Sequence, residues 1–116
     1  MSATLAPSRS RELATAVYEV IADLPDDSTA IARLLHDLGI RGKRGDGAWC
    51  PLSNFIRWRL PEVQYLHVDG HQIFVGGGDR FIDAPEQAAA FVYDFDEGYY
   101  PTLVEHLALP APGGAP

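Results

Sequence analysis

The pair Asp69-Gly70 constrains this chain more than any other feature. It sits between two β-rich runs, Glu62 to Val68 and His71 to Val75. An Asp-Gly pair flanked by such runs signals a two-residue hairpin turn, because these residues accept the left-handed backbone that the turn requires. With Asp69 and Gly70 as the loop, Val68 faces His71, Leu66 faces Ile73 and Gln64 faces Val75. Side chains alternate between the two faces of a strand. Leu66, Val68, Ile73 and Val75 therefore share the expected core face. Val63, Tyr65, His67, Gln72 and Phe74 share the other, which is apolar enough to call for a cover from another element or a second chain. Beyond the glycine triplet 76–78, Arg80-Phe81-Ile82 supplies a third strand and completes a small antiparallel meander. The triplet lacks the Lys-Ser/Thr of a phosphate loop and leads into a strand instead of a helix.

Helices flank this meander. Ser8 or Ser10 caps a first helix whose stripe is Leu13, Val17, Val20, Ile21 and Leu24, stopped by Pro25. Asp26-Asp27-Ser28 caps a second over 30–38, with Ile31, Leu34, Leu35 and Leu38 inward and Gly39 as its stop. The segment Trp49 to Trp58 holds the only cysteine and both tryptophans. Pro51 suits a first helical turn, which places Cys50 at the N-cap and Leu52, Phe55 and Ile56 on one apolar stripe; Pro61 ends the helix. Residues 41–47 carry three glycines and read as a flexible basic loop feeding that start. Asp83 and Glu86 have the spacing of a capping box for a helix to about Phe95, with Ala88, Phe91, Val92 and Phe95 inward. Gly98 ends it, and Tyr99-Tyr100-Pro101 turns the chain. Thr102 caps a last short helix with Leu103, Val104 and Leu107 inward.

The expected fold is α+β: N-terminal helices, a short antiparallel hairpin or three-stranded meander, then one or two C-terminal helices packed on it. At 116 residues the chain makes one modest core. The expected boundaries are a loose N-terminus over 1–8, a domain over 9–108 and a disordered Pro/Gly tail over 109–116. A single cysteine excludes an intramolecular disulfide and the multi-cysteine zinc sites. No apolar run reaches the length of a membrane span and no secretory leader opens the chain, so the expected setting is the cytoplasm.

Charge is unevenly placed. Residues 1–60 carry eight Arg/Lys against seven Asp/Glu, net +1, and residues 61–116 carry one Arg against nine Asp/Glu, net −8. The second half repels phosphate, which disfavours nucleic-acid binding. Arg33, Arg41, Lys43 and Arg44 beside the helical pair are too few for a DNA reader, and no polar recognition face follows them. An acidic face either aids solubility or mimics nucleic acid before a basic partner.

Two readings of Cys50 compete. At a helix N-terminus a thiol feels the positive end of the helix dipole and becomes a nucleophile. Otherwise it is a small buried hydrophobe. Cys50 at a helix start with His71 on the hairpin is similar to the layout of papain-like cell-wall peptidases, and residues 71–85 resemble their histidine-strand-turn-strand stretch. That resemblance implies Cys50 as nucleophile and His71 as base. Pro51 stands where those enzymes have Ser-Gly, and His71 follows Cys50 by an interval of only 21 positions. His67 and His71 lie on opposite hairpin faces, and His36 and His106 lack ligand-spaced neighbours, so neither a metal nor another cofactor is expected.

Two further blocks, Ile40-Arg41-Gly42 with Cys50-Pro51-Leu52 and Phe55-Ile56-Arg57, and Phe91 to Val104, resemble small uncharacterised proteins of actinobacteria and their phages. The resemblance implies one α+β domain and carries no catalytic residue across. The expected function is that of a small non-enzymatic regulatory or interaction protein acting through a protein partner. Its binding residues are Tyr65, His67, Phe74, Tyr99 and Tyr100, since aromatic residues dominate interface hot spots. A homodimer through the hairpin edge is compatible with so short a sheet. A hydrolase or transferase built on Cys50 and His71 is the alternative, and an acidic nucleic-acid mimic the third.

Overall fold

The meander forms, with its turn displaced. In the computed structural model, which describes residues 7–63, 65–75 and 80–105, strands β1 (Leu66–Asp69), β2 (Gln72–Val75) and β3 (Arg80–Asp83) pair antiparallel in the order β1-β2-β3. Leu66 faces Val75 and Val68 faces Ile73, so the register lies two residues from the expected one. Gly70 is the reason. It has φ 55 and opens the turn, while His71 is not left-handed. Glycine at the first central position is what a type II′ turn requires. Asp69 thereby becomes the last residue of β1. An even slip keeps every side chain on its face. Leu66, Val68, Ile73 and Val75 are buried, His67 and Gln72 are exposed, and Phe74 is half-buried. Val63 departs from its expected place on the outer face: it precedes β1 and is buried in the core.

Helix α1 (Pro7–Ala22) begins ahead of the expected boundary, so Ser8 and Ser10 lie inside it and do not precede it. Its stripe of Leu13, Val17, Val20 and Ile21 is buried, as is Leu24 just beyond. Helix α2 (Ser28–Leu38) is capped by Asp27, whose Oδ1 accepts from the Ala30 amide at 2.8 Å. Gly39 ends it with φ 76, the left-handed residue that a helix C-terminus favours. Ile31 and Leu35 are buried. Leu34 is half-buried and Leu38 is exposed, because they lie at the margin of the apolar stripe. Helix α3 (Pro51–Arg59) starts at Pro51, as its fixed φ favours.

Helix α4 (Glu86–Asp96) buries Ala88, Phe91, Val92 and Phe95. The expected capping box does not form. Asp83 remains in β3 opposite Gln72, and Pro85 takes the cap position with no side-chain cap bond. The expected last helix is a single 3-10 turn, Pro101–Leu103, after which Val104 forms a parallel bridge to Gly42. Leu107, His106, the triplet 76–78 and the tail lie outside the described residues. Helix α1 packs on β2, β3 and α3, α3 packs on β1, and α2 packs on α4 and the 3-10 turn. Helices α1 and α3 thus cover the sheet, while α2 and α4 pair with each other alongside it, which is an α+β arrangement.

Candidate functional site

The glycine-rich loop before α3 is held in place at many points, contrary to its expected flexibility. The Gly42 amide donates to Leu103 O at 2.9 Å, and the Glu105 amide donates to Gly42 O at 2.8 Å. Arg44 reaches the end of α4: Nε donates to Phe95 O at 2.7 Å and Nη2 to Tyr99 O at 2.9 Å, with the guanidinium 5.0 Å above the Phe95 ring. A cation there completes the orphan carbonyls and meets the negative end of the helix dipole. The Gly45 amide donates to Asp96 Oδ1 at 3.0 Å. Gly47 O accepts from the Val68 amide at 2.9 Å and from the Ser53 hydroxyl, which takes up the Val68 N–H on the outer edge of β1. Arg57 lies over Trp49 at 4.4 Å and donates to Ala48 O and Asn54 Oδ1.

This loop delivers Cys50 into the core. Cys50 is 3% exposed, and its sulfur lies 3.5 Å from both the Ser53 amide and the Ser53 hydroxyl. Burial pushes the thiol up from its ordinary range, and the bonds to Ser53 oppose that only in part. A protonated, enclosed thiol has neither the charge nor the access that nucleophilic attack requires. Among the described residues no imidazole hydrogen-bonds to it. His71 lies elsewhere, on the rim of a groove of about 770 Å³ between the hairpin turn and α4. Asp69, Glu86, Asp94, Asp96 and Glu97 share that groove, and no Arg or Lys does. The described residues contain no group of three or more His, Cys, Asp or Glu placed to hold a metal, and no described helix is long and apolar enough to cross a membrane.

The expected binding residues divide into two groups. Tyr99 is exposed. Tyr100 is half-buried, stacks on Phe91 with centroids 5.7 Å apart, and shares a 2.6 Å hydrogen bond with the Ser28 hydroxyl. Ser28 in turn donates to Asp94 Oδ2 at 2.8 Å, so Tyr100 serves the α2–α4 contact. Tyr65, His67 and Phe74 lie on or beside the sheet's outer face. Pairing places His67, Phe74 and Phe81 in one row across the three strands. The Phe74 and Phe81 rings are 4.0 Å apart, and Phe81 is 52% exposed. Asp69, Gln72 and Asp83 form the next row, all exposed. Phe81 was absent from the expected set, since the sequence does not set the β3 register across the glycine triplet. The outer face therefore presents an aromatic row beside an acidic one, with no helix over it among the described residues.

Comparison with protein-family models, curated proteins and solved structures found no match to this chain.

Proposed function

We propose that the chain is a non-catalytic binding module that recognises a protein partner through the outer face of its sheet. The Phe74–Phe81 pair beside His67, with Phe81 exposed and Phe74 half-buried, carries this reading. A tilted aromatic pair left partly in water on a finished domain is the surface that buried interface anchors come from. Tyr65, 73% exposed at the entry to β1, extends it. The lone buried cysteine supports a cytoplasmic setting. The likeness to small actinobacterial and phage proteins belongs to the same reading and supplies no activity.

The test is a photo-crosslinking residue at position 81 in the host, with one at Tyr18, which is exposed on α1, as the comparison. A discrete adduct from position 81 alone, lost in the Phe74→Ser variant, is expected. Adducts of equal yield from both positions, or none from position 81, overturn the proposal.

A second reading is favoured by the acidic groove at α4. Five carboxylates around one concavity, with no Arg or Lys among its lining residues, suit a basic protein that otherwise holds nucleic acid. Competition between this chain and duplex DNA for such a protein, weakened by Asp94→Asn with Glu97→Gln, is the expected outcome.

A further inference from the structure

Hydrogen-bond parity identifies the open side of the sheet. The Ala84 amide donates to His71 O at 2.8 Å, and these residues continue the β2–β3 register. Antiparallel pairs alternate between bonded and non-bonded positions. Ile82 and Arg80 therefore bond to β2, while the backbone N–H and C=O groups of Phe81 and Asp83 point outward from β3. No described residue takes them up. The opposite edge is different, because Gly47 O already accepts from Val68. Unpaired backbone groups on a strand are a template for another strand.

We infer that β3 takes up an extended cationic segment of a partner protein as an antiparallel fourth strand; this rests on the reading of the outer face as the binding surface. In such a pairing, residues opposite Phe81 and Asp83 place their side chains on the outer face. One meets the Asp83 carboxylate, which suits arginine or lysine. The next meets the exposed Phe81 ring, which takes a guanidinium by cation–π attraction. Asp69 lies in the same acidic row, and Glu86 follows just beyond β3. Arg80 is the only Lys or Arg of residues 61–116, and it alternates onto the inner row with Ile82. A second copy of this chain is the poorer occupant. It brings Asp83 against another molecule of net charge −7.

The experiment uses the full chain and a short synthetic peptide of alternating arginine and valine, followed by amide NMR. In the free chain, the Phe81 and Asp83 amides should exchange rapidly with solvent. The peptide should slow both and shift the β3 resonances. N-methylation of the arginine residues, whose N–H groups face β3 in this pairing, should weaken binding about tenfold, the loss of one or two backbone hydrogen bonds. N-methylation of the valines should leave it unchanged. A glutamate-for-arginine peptide should not bind. Slow exchange at Phe81 and Asp83 in the free chain overturns the inference, because the edge is then already covered by the chain itself or by a second copy. Equal binding of both methylated peptides, or of the glutamate peptide, also overturns it. If the methylated peptides bind alike and Phe81→Ser abolishes both, the outer face stands as a binding surface and strand addition falls alone. Peptide binding unaffected by Phe81→Ser and Phe74→Ser, with both variants folded by circular dichroism, removes both readings.

Discussion

Gly42 lies so close to Pro51 that a β-carbon at position 42 would stand 2.4 Å from the Pro51 nitrogen, with Cys50 C and Trp49 O at 2.5 Å. All three are backbone atoms, so no rotamer change relieves the clash. Gly42→Ala is expected to cost about 3 kcal/mol, at the upper end of overpacking losses. Urea unfolding checks it. Gly45→Ala, with open space around its β-carbon but φ 69, should cost only about 1 kcal/mol.

Arg44 bridges two carbonyls and an aromatic ring, which a lysine ammonium does not reproduce. Arg44→Lys should lower stability by about 1–2 kcal/mol, and Arg44→Met by about 2–3 kcal/mol, since the Phe95 and Tyr99 carbonyls then lose a charged donor. The thermal midpoint should fall by about 5 °C per kcal/mol for a domain of this size.

Cys50 makes a pH-dependent contribution whose sign follows from its burial. The folded thiol holds its proton above the ordinary value of 9.0, so in alkali the folded chain binds more protons than the unfolded one. Its stability contribution is whole below pH 9 and is lost as pH rises through the folded value. Denaturant titrations from neutral pH into alkali should show this decline in the wild type and a shallower one in Cys50→Ala. Thiol reagents at neutral pH should label the native chain only as fast as it opens. Rapid native labelling would restore the nucleophile reading.

Tyr100 stands at φ 59, an unfavourable backbone for a residue other than glycine. The Ser28 hydrogen bond and the Phe91 stack hold it there. Tyr100→Phe keeps the stack and removes the Ser28 bond together with a long 3.4 Å contact to the Thr29 hydroxyl, for a cost of about 1 kcal/mol. Tyr100→Gly relieves the backbone but empties the stack, and should cost more. A double-mutant cycle with Ser28→Ala separates the bond from the strain.

Much of the architecture was legible because it rests on local periodicity. Leu66, Val68, Ile73 and Val75 share a face whatever even register the hairpin takes, and Cys50-Pro51 reads as a helix start from proline's fixed φ. What stayed hidden depends on distant partners. Three glycines in 41–47 read as freedom, yet Gly42 and Gly47 are sites of close backbone approach, to Pro51 and to Val68. Sequence alone does not separate these two uses of glycine. Asp83 reads as a helix cap, but pairing with Gln72 retains it in the sheet. The aromatic row needed the β2–β3 register, which a glycine triplet does not specify. Burial of Cys50 decides between its two chemistries, and only the tertiary packing supplies it.

The clasp around Gly42, Arg44 and Gly45 joins residues early in the chain to Phe95, Asp96, Tyr99, Leu103 and Glu105 near the other end of the described residues. A ribosome must therefore deliver Glu105 before the loop can close. Until then the seam stays unclasped, and a fragment stopped before that point should be prey for proteases.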